Sequence, residues 1–277
     1  MSITIAKKTG NKKGLASNYN GKGLILKRIG QFAEALTNFF NSLKIKEELN
    51  DSLGMANSLA NIGSVYDEQH NYEKAIEKHF QAIALRKAIG DDEGLANSYG
   101  NLAGVYVVQK KYKEALKYQE LALEIEKKYD IKQAIASSLS NIGLIYAAQL
   151  DFDKALKYQF EALKIKEELG NKSAILASFI NIGSVYLSSN KLALAERYLI
   201  DAYSLANEIP DLDGKKEASK QLTELYKKQN QDSKALHYFQ EYVAARDSLI
   251  NEVNIRQSEQ IALNYEFEKK ELAQKAF

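Results

Sequence analysis

The sequence predicts an all-α chain: a solenoid of antiparallel helix pairs that ends in a long C-terminal helix. Three observations carry this. First, a single Pro stands among 277 residues, and Pro is the strongest helix breaker. Second, Asn61-Ile-Gly-Ser-Val-Tyr66 returns as Asn101-Leu-Ala-Gly-Val-Tyr106, then at Asn141–Tyr146 and Asn181–Tyr186, spaced by 40 residues without insertion. Third, Ala35, Ala75, Ala115, Ala155, Ala195 and Ala235 hold a second column at the same period. A fixed period of this length marks a stacked array in which each unit buries its apolar face against its neighbours.

Taken in order, residues 1–12 read as the tail of a partial preceding repeat. Ile5-Ala-Lys-Lys-Thr-Gly-Asn11 parallels Ile165-Lys-Glu-Glu-Leu-Gly-Asn171 four periods later. The tail is either a capping half-repeat or the edge of a longer protein. Residues 13–250 hold six hairpins of period 40, with weaker copies of the motif at Gly21–Leu26 and Gln221–Tyr226. Within one unit, Met55, Leu59, Ile62 and Tyr66 fall at i, i+4, i+7 and i+11, a single helical face. His70-Asn71 signals a turn. A second helix follows from Tyr72 to Ile89, carrying Ala75, Ile76, Phe80 and Ile83. Gly90-Asp91 closes the unit, since Gly suits the left-handed position after a helix and Asp the next N-cap. Gly170-Asn171 and Asn50-Asp51 repeat that signal. The small residues Gly63, Ala103, Gly143 and Gly183 are expected to meet the alanine column of the partner helix. Residues 251–277 continue without Pro or Gly and read as a C-terminal helix, either a cap or a connector. Their apolar spacing fits a heptad only in part.

These residues resemble the tetratricopeptide repeat, whose pattern is W-x2-L-G-x2-Y, then A-x3-F, then a late Pro. Here it stands as Leu59, Ile62, Gly63, Tyr66 and Ala75, then as Tyr99, Leu102, Ala103, Tyr106 and Ala115, and so on through Phe179, Ile182, Gly183, Tyr186 and Ala195. There are departures. Trp gives way to Leu, Tyr or Phe, the late Pro is missing, and His79, Gln119 and Gln159 occupy the Phe position. The period exceeds the common ~34 residues, which lengthens the two helices by about one and a half turns in all. The resemblance implies a right-handed superhelix that binds a protein or an extended peptide on its concave face. It is the long-repeat kind seen in scaffold proteins and bacterial signalling proteins. The implied role is the sensory or interaction part of a larger bacterial signalling protein. The alternatives are a free-standing adaptor and a regulator of a response regulator.

Composition removes other classes. Lys and Arg total 38 against 36 Asp and Glu, a net charge of +2, so a nucleic-acid partner is not expected. Cys is absent and only three His occur, so no thiolate chemistry, metal or cofactor is expected. No apolar run of ~18 residues exists for membrane insertion. No nucleotide-binding, nucleophile-elbow or zincin motif occurs, and no catalytic residue is assigned. The compartment stays open between cytoplasm and periplasm, as does the oligomeric state.

The candidate site follows from the repeat. First helices line the concave side of such arrays. There Asn61, Asn101, Asn141, Asn181 and Gln221 form one column. An amide side chain offers both an acceptor and donors, which suits an extended backbone whatever its sequence. The other reading is that the column only sets repeat stacking. The expected groove wall is Gly100, Gly104, Val107, Val108, Leu144, Ala147, Ala148, Ile180 and Leu187. Lys220 and Lys228 are possible carboxylate contacts near one end. Tyr66, Tyr106, Tyr146, Tyr186 and Tyr226 read as core. Tyr118, Tyr158, Tyr198 and Tyr238 read as core or outer face. Lys46-Glu-Glu48 and Lys166-Glu-Glu168 read as solvated surface.

Overall fold

The computed structural model describes residues 10–275, and the side chains of all of these except 256–257, 260–264 and 266–275. Twelve α-helices and no strand run through the described residues. The chain forms two compact units, Met1–Gln149 and Leu150–Phe277. In the first, α1 (Lys12–Arg28) pairs with α2 (Phe32–Glu48), α3 (Ser52–Glu68) with α4 (Tyr72–Ile89), and α5 (Asp92–Val108) with α6 (Tyr112–Lys128), while α7 (Lys132–Ala148) packs on α6. In the second, α8 (Phe152–Glu168) packs on α9 (Lys172–Ser188). That helix pairs with α10 (Leu192–Glu208), and α11 (Leu212–Lys228) pairs with α12 (Asp232–Lys275). Most of the expected partial repeat, residues 1–9, lies outside the described residues. The expected C-terminal helix continues the second helix of the last pair, since α12 runs unbroken from Asp232 to Lys275.

The period of 40 is twice 20. Nearly every helix is 17 residues long and is followed by a short turn. Ten of the eleven turns between these helices hinge on one left-handed residue: Gly30, Asn50, His70, Gly90, Lys110, Asp130, Leu150, Gly170, Asn190 or Asn230. The residue after it commonly caps the next helix. Asp51, Asn71, Asp91, Asp151, Asn171 and Asp211 each accept a bond from the backbone N–H three residues on. That satisfies one donor orphaned at each helix start. Pro210 occupies the remaining position of the left-handed series. Its ring fixes a negative φ, yet the turn still closes through the Asp211 N–H donating to the Ala206 carbonyl at 3.0 Å.

The predicted apolar face turns inward. Leu59 and Ile62 are buried with Leu26, Phe39 and Leu43, and Met55 and Tyr66 pack against them. The small column behaves differently from expectation. A Cβ on Gly63 would stand 2.9 Å from the His79 ring, one on Gly23 would overlap Phe39, and one on Gly183 would overlap Leu199. Glycine therefore makes room for the large residue at the family's Phe position, not for the alanine column. The second tyrosine column is packing as well. Tyr118 stacks on Tyr106 at 5.7 Å, Tyr198 on Tyr186 at 5.7 Å and Tyr238 on Tyr226 at 5.5 Å.

Lys46 and Lys166 are not solvated. Both are buried, as members of a polar column between successive pairs. Lys46 Nζ donates to Ser58 Oγ at 2.9 Å and to the Gly54 carbonyl at 3.1 Å. Lys166 Nζ donates to Ser178 Oγ at 2.8 Å. Between them in phase come Arg86, held by Asn57 and Asp91, and Glu126, bonded to Ser138. Burial lowers the pKa of Lys46 and Lys166 and raises that of Glu126. The last junction is apolar, with Ala206 and Ala218 buried.

Candidate peptide-binding face

The asparagine column lies on the first helices, and its members meet different surroundings. Toward the start of the first unit the face is cross-linked. Asn61 Nδ2 donates to Asn20 Oδ1 at 3.0 Å. Beside it, Lys27 Nζ donates to Ser64 Oγ at 2.6 Å and pairs with Glu68 at 3.1 Å. Here the column sets stacking, and the amide is already engaged.

On α5 and α7 the face is open. Asn101 is exposed, with no hydrogen-bond partner among the described residues. A Cβ on Gly100 or Gly104, one position before and three after, would meet nothing within 4 Å. Val107 is half-buried and Val108 exposed. Asn141 is exposed too, and its Nδ2 lies 3.5 Å from Gln119 Oε1, a stretched bond at best. Gln119 itself is buried and committed to Ser138 Oγ at 2.8 Å. Leu144 and Ala148 are exposed, and Ala147 is half-buried. The stripe is neutral, small-chained and apolar at its edges, with two amides standing out of it.

The second unit departs from the sequence expectation. Ile180 is no groove wall, because it is buried with Leu176, Ala202, Ala206 and Ala218. Its phase lies at the edge of a helix–helix seam, which Gly100 leaves open and Ile180 fills. Asn181 is half-buried. Gln221 is buried, and its Nε2 donates to Glu217 Oε1 at 3.0 Å. Leu187 is buried but lines a cavity of about 290 Å3 together with Ser184, Ser188 and Gln221. Lys220 and Lys228 line the same cavity, and so do Glu217 and Glu224. Lys228 Nζ also reaches the Leu187 carbonyl at 3.4 Å. The two lysines thus share one concavity, but two carboxylates stand among them and reduce its attraction for an anion. Sequence reading missed Ser184 and Ser188. Ser184 shares the phase of Gly104 and Leu144, which is the signal that would have found it.

Among the described residues no group of three or more His, Asp or Glu is placed to hold a metal ion. No described helix is long and apolar enough to cross a membrane.

Solved structures share this fold. BtubC (BKLC) from P. vanneervenii aligns at TM-score 0.68 and 23% identity, covering 76% of this chain and 89% of that one. A Rap protein complexed with competence and sporulation factor aligns at 0.61 and 15%, covering 85% and 76%. A Signal Transduction ATPase with Numerous Domains from Pyrococcus horikoshii, with a tetratricopeptide repeat sensor, aligns at 0.70 and 15%, covering 88% of this chain and 38% of that one. At these identities the likeness is one of fold. No curated protein sequence matches the chain. The tetratricopeptide repeat profile matches residues 14–88 and 94–168, more than half of the sequence. With the paired helices and the 40-residue register, this settles the family: the chain belongs to the tetratricopeptide repeat proteins.

Proposed function

We propose that the chain is a protein-interaction module that grips an extended peptide segment on the open face of α5 and α7. Asn101 and Asn141 hold the ligand backbone, while Val108, Leu144 and the glycine gaps at 100 and 104 accept its side chains. The observation that carries this is the contrast within one column. Asn61 is consumed by Asn20, whereas Asn101 and Asn141 stand exposed beside uncharged, open helix surface. A neutral face with exposed amides suits a backbone that brings its own N–H and C=O groups. The same reading makes the chain the interaction part of a bacterial signalling system. The repeat sensor of the Pyrococcus ATPase and the factor-bound Rap protein support that placement by analogy of fold.

The test begins with a random peptide library selected on the 277-residue chain. Affinity of a selected peptide is then measured by titration calorimetry against Asn101→Ala/Asn141→Ala. Losing two sets of amide bonds, each worth about 1 kcal/mol net, weakens binding roughly 10-fold or more. An unchanged affinity in a variant with unchanged circular dichroism would refute the grip.

A further inference from the structure

We infer that α12 is a self-association surface, on which a second copy of this chain docks antiparallel through a seam running from Leu236 to Val253. The seam is legible in spacing. Leu236, Phe239, Val243, Arg246, Ile250 and Val253 follow one another at alternating steps of three and four, the spacing that keeps one helix face toward a partner helix. Four of them are about half exposed: Leu236 58%, Phe239 46%, Ile250 51% and Val253 50%.

This face has a known use elsewhere in the chain. In phase with it on α2 lie Leu36, Phe39, Leu43 and Lys46, where Phe39, Leu43 and Lys46 are buried and α3 packs on the helix. On α8 the counterparts Leu156, Gln159, Leu163 and Lys166 are all buried. On α12 no following helix covers the face among the described residues, because the helix runs straight past 250, where the other second helices turn. The run-on adds Ile250 and Val253 to the seam.

Self-complementarity selects the occupant. With two antiparallel copies centred between Ala244 and Ala245, Leu236 faces Val253 of the second copy, Phe239 faces Ile250, and Val243 faces Arg246. Every large apolar residue then meets an apolar one or the stem of an arginine. Arg246 now pairs with its neighbour Asp247, at 2.8 Å on the surface. In the pair it lies about one helical turn, ~6 Å along the axis, from Asp247 of the second copy. A parallel arrangement would set Arg246 against Arg246, like charges inside the seam. The exposed apolar side chains offer roughly 350 Å2 per copy, so with rim residues the interface reaches only the lower end of specific ones, near ~1,200 Å2. The association is therefore reversible and concentration-dependent.

Sedimentation velocity of the 277-residue chain from about 1 to 200 µM tests this. The expected mass rises from 31.1 kDa toward twice that value. Ile250→Glu/Val253→Glu stays at 31.1 kDa across the range with unchanged circular dichroism. The chain has no Cys, so cross-linking reads the direction cleanly: Phe239→Cys mixed with Ile250→Cys forms the mixed disulfide dimer in excess over either homodimer. A monomer at every concentration overturns the inference. So does a dimer that survives the double glutamate variant, or a preference for Ile250→Cys homodimers.

Discussion

Replacing His79 by Phe should remove an acid-sensitive weakness from the first unit. His79 fills the position where hairpin one carries Phe39, and its ring lies against Gly63 as Phe39 lies against Gly23. It is buried, and its Nδ1 has no hydrogen-bond partner. Burial, helped by the Lys27 charge, pulls its pKa down to about 4. An unfolded histidine takes its proton near ~6.5. Between these two values the unfolded chain binds the extra proton and the folded one does not, so stability falls as pH falls. The loss amounts to about 2 kcal/mol between pH 7 and pH 5, and to about 3 kcal/mol once the pH reaches 4. His79→Phe keeps an aromatic ring over the glycine and cannot take the proton. Urea unfolding followed by circular dichroism at pH 7 and pH 5 measures the difference. The wild type should lose about 2 kcal/mol more than the variant over that interval. Carboxylates that titrate in the same range are common to both proteins and cancel. Equal losses in the two chains would show that the histidine is protonated in the folded state, and the account of its burial would be wrong.

Leu150 holds a left-handed φ of 63° and is 72% exposed, so Leu150→Asn should raise stability by about 0.5–1 kcal/mol, read from the urea midpoint. A lower midpoint would mean that the leucine makes a contact that outweighs its backbone strain. Gly183→Ala should lower stability by about 1–2 kcal/mol, because the new Cβ would stand 2.7 Å from Leu199 Cγ and crowding outweighs the ~1 kcal/mol gained in helix propensity. Combining it with Leu199→Val should recover part of the loss, and a double variant no better than Gly183→Ala alone would count against the steric account.

The helical pairs were readable because one signal was repeated at every level. Period and apolar face agree throughout, and the caps at Asp51, Asp91, Asn171 and Asp211 mark helix starts in the same register, with Ile131 the exception. What the sequence hid depends on neighbours in space. Lys110 and Leu150 carry no turn signature, and only their place in the series of twenty reveals the left-handed backbone. Lys46 and Lys166 sit among glutamates and look like surface, yet serines one hairpin on draw them inside. Ile180 shares a phase with Gly100, but a branched side chain closes the seam that a glycine leaves open. Of the candidate site, the placement of the column on the first helices was legible. Which of its amides are engaged was not, because that depends on partners such as Asn20 and Gln119, at positions whose residue changes along the array.

The serine column has a bearing on how such a gene can change length. Ser58, Ser138 and Ser178 bond Lys46, Glu126 and Lys166, and Ser98 keeps the same position in the series while Arg86 turns instead to Asn57 and Asp91. Unequal crossing-over that gains or drops 40 codons among these hairpins still brings a charged residue to a hydroxyl. Ala218 breaks the series, and a lysine recombined against it would be buried with no hydroxyl to receive it. Exchange among the early hairpins would thus preserve the buried polar contact, whereas exchange across the last junction would strand a charge.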